Sequence, residues 1–181
     1  MGMKNDYRLK IKDFRLKFLL LLIILLINFL FINNLPSQPV KIGVALPLFE
    51  DSEDESIKQL GTDILSGINN ALSEHNIISS IKVTLVIRDT KKDIETCVNI
   101  FTELAENDTI KCILGPVYSS ELTEVMDIGF INKIPIVSPT ATGDDLAETN
   151  DYIFQLNPSY KVRGKLMARY LMKELRMMLI R

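Results

Sequence analysis

From Val40 onward, short runs of aliphatic and β-branched residues alternate with longer segments whose apolar residues recur at helical spacing. That alternation restricts the fold more than any other feature of the chain, because strands that each hand over to a helix build βαβ units. The runs "VKIGVAL" (40 to 46), "IKVTLVIRD" (81 to 89), "IKCILG" (110 to 115), "IPIVSP" (134 to 139) and "DYIFQL" (151 to 156) read as strands. Between the first two, Ile57, Leu60, Ile64, Ile68, Ala71 and Leu72 form one helical face, and Ile94, Cys97, Val98, Phe101, Leu104 and Ala105 form another after the second. "SELTEVMDIGFINK" follows the third strand and "SYKVRGKLMARYLMKELRMM" the fifth, both with helical character. The expected fold class is α/β, a parallel sheet in a three-layer helix-sheet-helix arrangement with right-handed crossovers.

The first 39 residues follow other rules. Residues 1–17 carry six basic side chains against two acidic ones, and the fifteen-residue run from Phe18 to Ile32 has Asn28 as its one polar residue. A basic leader before such a run is a membrane-targeting signature, either a cleaved signal peptide or an uncleaved anchor. The run lies below a comfortable span of about 20 residues, but "NNLPSQPV" has no small-x-small cleavage pattern and no cysteine for lipidation, which favours the anchor. In either case the remainder is expected outside the cytoplasm, in the periplasm or at the cell exterior, with 36–39 as a linker. Beyond residue 17 there remain 15 of the 21 basic and 21 of the 23 acidic residues, a net charge of −6. Nucleic acid is therefore not an expected partner.

In a parallel α/β sheet, ligands gather beyond the carboxyl ends of the strands. Those ends read "ALPLFE", "IRDTKK", "LGPVYSS" and "VSPTAT". None carries a glycine-rich phosphate cradle, so no nucleotide cofactor is expected. The third strand ends on Leu114, Gly115 and Pro116 rather than on the aspartate of a phospho-receiver domain, and no Ser/His/Asp set is visible. His75, the one histidine, falls near the far end of the first helix and reads as a surface residue, and no metal site is expected. What the strand ends do offer is hydroxyls and backbone amides. Gly115 and Pro116 turn the chain so that Ser119 or Ser120 caps the next helix, whose free N–H groups favour a carboxylate. Ser138, Thr140 and Thr142 line the adjacent strand end. The competing reading is that these are ordinary cap and turn residues.

In their order along the chain, "VKIGVALPL", "GTDILSGINNALSEHN", "VTLVIRDTKKDIETCVNIFTELAENDTIKCILGPVYSSEL", "IPIVSPTATGDDL" and "DYIFQLNPSYKVRGKLMARYLMKEL" resemble the type I periplasmic solute-binding proteins. This is the branched-chain amino acid binding family of ABC importers, with relatives in receptor ectodomains. The resemblance implies a non-enzymatic, extracytoplasmic domain that binds an amino acid or similar carboxylate and serves an ABC permease or a membrane sensor. It implies that Ser119, Thr142 and the backbone at Thr140 hold the α-carboxylate, with Ser120 beside them and Tyr118 as contact or wall. An interaction domain of the same fold that binds no small solute, and a non-functional remnant, are the alternatives.

The chain also departs from the family pattern. The loop after the first strand is long and carries acids at 50, 51, 53, 54 and 55, which read as a solvated run before a helix, where negative charge is favoured. Cys97 and Cys112 both fall at inward positions and read as reduced core thiols. The family has two lobes, and the resemblance places the first crossover near residues 155 to 159. Residues 40–157 then form the first lobe and 158–181 the start of a second, and the chain reads as truncated. The apolar residues of the last helix, Val162, Leu166, Met167, Tyr170, Leu171 and Leu175, are expected to be left uncovered.

Overall fold

A computed structural model describes residues 39–173, together with the isolated positions Leu19, Leu22 and Leu26. The chain divides into two compact units, Met1–Ser37 and Gln38–Arg181. The expected leader, the body of the apolar segment, the start of the linker and Leu175 lie outside the described residues. No helix among the described residues is long and apolar enough to cross a membrane.

In the second unit, strand β1 (Val40–Leu46) leads to helix α1 (Glu55–Ile78), β2 (Val83–Asp89) to α2 (Ile94–Ala105), and β3 (Ile110–Leu114) to α3 (Ser119–Asn132). Strands β4 (Ile136–Ser138) and β5 (Ile153–Gln155) follow without an intervening helix, and α4 (Tyr160–Lys173) comes last. The five strands form one parallel sheet in the order β2-β1-β3-β4-β5. The alternation read from the sequence is thus realised as an α/β sheet with helices on both faces.

The order reverses at β1, so the crossover through α1 runs opposite to those through α2 and α3. With right-handed crossovers this puts α1 on one face and α2 with α3 on the other. The core divides in the same way. Ala45 packs with Cys97, Phe101 and Leu104 of α2 and Leu122 and Val125 of α3. Its neighbours Val44 and Leu46 point the other way, towards Ile64, Leu65 and Ile68 of α1. All three β1 residues are fully buried, as a central strand requires.

The face under α1 is less well covered than the sequence suggests. Ile57 and Leu60 remain 42% and 41% exposed. An apolar cavity of about 390 Å³ opens between α1 and the sheet, lined by Ile42, Ile68, Leu72, Val83, Leu85 and Leu114. Helix α4 has Val162, Leu166, Met167 and Tyr170 exposed, as expected from sequence, but Leu171 is half-buried, which corrects the expectation for that residue. Cys97 is buried but Cys112 only half-buried, which corrects the reading of both as core thiols; neither forms a disulfide. Burial pushes the Cys97 thiol up to about 12. His75 is exposed, and its Nε2 lies 3.1 Å from the Ile81 carbonyl.

Candidate functional site

The registers Leu46↔Asp89, Val44↔Leu114, Leu114↔Val137 and Ser138↔Gln155 bring the carboxyl ends of all five strands to one edge. Three loops meet there: residues 90–93 after β2, 115–118 after β3 and 139–152 after β4. Gly115 adopts φ +120°, and a Cβ at this position would lie 2.1 Å from the Ala45 carbonyl oxygen. Only glycine lets the β3 end pass so close to β1. The Gly115–Pro116 peptide is cis.

The β3 and β4 loops are bound to one another by hydroxyls. Ser138 Oγ donates to the Pro116 carbonyl at 2.5 Å, and Thr140 Oγ1 donates to the Val117 carbonyl at 2.6 Å. Ser119 Oγ accepts from the N–H groups of Thr142 and Gly143, at 3.1 and 3.0 Å. Gln155 Nε2 closes the loop from β5 by donating to the carbonyls of Ala141 and Gly143.

This arrangement corrects the expected cap. Tyr118, in extended conformation, is the N-cap of α3, and Ser119 is already helical. The serine hydroxyl is turned across to the β4 loop instead. Glu121 takes over part of the capping, its Oε2 accepting from the Tyr118 N–H at 3.4 Å. The Ser119 and Ser120 N–H groups belong to the first helical turn, which has no internal acceptors. Among the described residues the hydroxyls of Thr142 and Ser120 make no hydrogen bond. Tyr118, Ser119, Thr140 and Thr142 are half-buried and Ser120 is exposed. The five candidates therefore lie in one region, and the Ser119 and Thr140 hydroxyls are occupied by loop-to-loop contacts.

Four residues at this edge, Asp89, Thr90, Lys92 and Glu121, are not among the candidates read from the sequence. Asp89 ends β2, where burial raises its pKa, but the N–H groups of Glu50, Lys91, Phe49 and Leu48 outweigh that and hold the carboxyl below its usual range. Two of those bonds, from Leu48 and Glu50, are 2.8 and 2.9 Å and fix the loop after β1. Thr90 and Glu121, 0% and 1% exposed, leave Oγ1 and Oε1 without a hydrogen-bond partner. Burial pushes the Glu121 carboxyl above the usual range, and the Tyr118 N–H offsets this in part. Lys92 Nζ stands 4.6 Å over the Tyr118 ring, a cation–π contact from the same turn. The capping-box spacing was present in "YSSE", but a tyrosine in place of serine or threonine hid it.

The acidic run has local employment. Asp54 caps α1 through the Ser56 N–H at 2.9 Å, Glu55 pairs with Lys58, and Asp51 pairs with Lys91.

The sequence matches, over residues 39–180, the model of a family described as periplasmic binding protein. No curated protein matches it significantly. Among solved structures, the substrate binding protein LivJ of a branched-chain amino acid transporter from Streptococcus pneumoniae, in complex with isoleucine, is 24% identical with TM-score 0.62, over 77% of this chain and 39% of that one. The leucine binding protein LivK from Thermotoga maritima is 25% identical with TM-score 0.62, over 76% and 38%. A solute binding protein of an ABC transporter from R. palustris, in complex with 4-hydroxybenzoate, is 20% identical with TM-score 0.60, over 73% and 36%. The chain thus spans well under half the length of these proteins.

Proposed function

Because the chain belongs to the periplasmic binding protein family, we propose that it binds a small carboxylate solute outside the cytoplasm, an amino acid being the preferred class. The observation that carries this reading is the meeting of two hydroxyl-bearing loops at the N-terminus of α3. The Ser119 hydroxyl, the free Thr142 hydroxyl and the first-turn N–H groups form a cradle of donors. A carboxylate there would take hydrogen bonds from the helix end and be favoured by its dipole. Thr140 contributes backbone, Ser120 stands at the rim and Tyr118 forms a wall. The amino-acid preference is supported by the leucine binding protein among the similar structures. The chain carries out no catalysis in this reading and needs no cofactor.

Residues 40–157 act as the first lobe and 158–181 begin a second, with 1–17 as a basic leader and 18–35 as an anchor or signal. A lobe of this kind would deliver solute to an ABC permease or report it to a membrane sensor. A small-molecule site buries roughly 70 to 90% of its ligand, and one lobe covers one face of it. The 181-residue chain should therefore bind L-leucine with a dissociation constant of about 1 mM or weaker. Amide-resolved NMR titration with L-leucine tests this. Shifts centred on Ser119, Ser120 and Thr142 are expected, and their absence at saturating solute would sink the cradle.

One observation favours a second reading, an interaction domain of the same fold that binds no solute. Ser119 Oγ and Thr140 Oγ1 are both engaged between the loops, which pack on each other. Under that reading Ser119→Ala would loosen the 139–144 loop and change no solute affinity.

A further inference from the structure

Lys92 stands apart from the other cations at the carboxyl edge of the sheet. Arg88 pairs with Glu103 and Lys91 with Asp51, whereas no carboxylate among the described residues lies within ion-pair distance of Lys92. The acid next to it in sequence, Asp93, is engaged elsewhere, its Oδ1 accepting from the Thr96 N–H at 2.8 Å as the cap of α2. Glu121 is 1% exposed and accepts from the Tyr118 N–H. What the Lys92 ammonium does meet is the Tyr118 ring, whose centroid lies 4.6 Å away. Lys92 itself is exposed, so the ring covers one side of the ammonium and water the other.

The backbone makes the choice of lysine informative. Lys91 and Lys92 have φ of 52° and 55°, in the left-handed region where glycine or asparagine sits at less cost. At position 91 the side chain holds the loop after β1 through Asp51. At position 92 no ion pair within the chain accounts for it. The turn that carries Lys92 is firmly placed: the Thr90 N–H donates to the Leu46 carbonyl at 2.9 Å, the Asp93 N–H to the Thr90 carbonyl at 3.0 Å, and the Lys91 N–H to Asp89 Oδ1 at 2.9 Å. Tyr118 is placed as well, packed against the buried cluster of Val44, Leu46, Leu48 and Val117. A fixed turn thus presents a charge on a flexible stem over the ring of the residue that immediately precedes Ser119.

We propose that Lys92 is a specificity-determining residue of the cradle, its ammonium selecting solutes that carry a second carboxylate beyond the one held at the N-terminus of α3. Acidic amino acids are then the preferred solutes. The role rests on the solute-binding reading above. A solute held at Ser119 has Tyr118 as its wall, and Lys92 is the cation in contact with that wall. A second carboxylate beside the ammonium gains a charge pair there, whereas an uncharged amide of the same shape does not.

The test is amide-resolved NMR titration of the full chain at low ionic strength with L-glutamate and L-glutamine, which share a shape and differ by one negative charge. Shifts at Ser119, Ser120 and Thr142 report the cradle. L-glutamate should bind more tightly by about two- to fivefold, the scale of one exposed charge pair. The preference should vanish in Lys92→Met, which keeps an apolar stem, and persist in Lys92→Arg. It should also shrink in about 1 M salt, where the Debye length is about 3 Å. Equal affinities in the wild type, or a preference that survives Lys92→Met, overturn the role of Lys92 and leave the cradle standing. If Lys92→Met weakens both solutes alike, the lysine shapes the Tyr118 wall without selecting charge, and the assignment falls. No shift with either solute at the highest concentration brings down the solute-binding reading and this role with it.

Discussion

The two faces of the sheet are built from the same kind of sequence and finished differently. On one, α2 and α3 pack side by side over Ala45 and Ile113, and Phe101, Leu104, Leu122 and Val125 are all at most 1% exposed. On the other, α1 lies without a helical neighbour among the described residues, and apolar side chains of equal size stay partly in water. Amphipathic spacing creates a face that can be buried, but a second surface must arrive to bury it. The closed face is held by packing. The open face keeps a smaller buried cluster around Val44 and Leu46, and its edge is tied by Asp89 under the loop that leads into α1.

The largest expected difference between the faces is in cavity cost. Phe101→Ala should destabilise by about 3–5 kcal/mol, whereas Ile57→Ala on the open face should cost within about 0.5 kcal/mol. Urea midpoints at constant m would measure both, and equal losses would erase the distinction. Next is the cradle, where the edge serves both faces. In a version completed with a second lobe, Ser119→Ala and Thr142→Ala should each weaken solute binding by roughly 1.5–3 kcal/mol, the range for a hydrogen bond to a charged group. Calorimetry with L-leucine would show it, and parent-like affinity in both variants would assign these hydroxyls to loop structure alone.

A smaller effect concerns the polar tie. Asp89→Asn should cost about 1–2 kcal/mol at neutral pH, from weakened charge-assisted bonds to the loop after β1. The Asp89 carboxyl is held below its unfolded value, so its contribution is present above that value, about 3.9, and is lost as pH falls through the folded one. The gap between wild type and variant should therefore close on acidification, and a gap that persisted would mean the charge is irrelevant. Glu121 has the opposite sign: its folded-state carboxyl is raised, so its contribution is lost as pH rises through the folded value. The smallest effect is on the outer surface of α1. A Cβ at Gly67 meets nothing within 4 Å, so Gly67→Ala should stabilise by about 0.5–1 kcal/mol through helix propensity. A thermal melt would detect it, and a loss would mean that something covers this side of α1.

Much of this molecule could be read from local pattern. The strand order of appearance, the helices between them and the clustering of hydroxyls at 118–120 and 138–142 follow from spacings of two and 3.6 residues and from turn chemistry, which are properties of neighbours in the chain. Asp54 ahead of α1 and Asp93 ahead of α2 carry the same kind of local signal, and both cap through backbone N–H groups. Contacts between distant segments decided the rest. Whether Ser119 caps its own helix or holds a loop 23 residues away depends on how the β3 and β4 ends align. Whether Glu121 is solvated or buried depends on how the layers around the α3 N-terminus assemble, and whether Leu60 is core or surface depends on what else reaches the face under α1. Burial is a property of the assembled layers, and no single stretch of chain contains it.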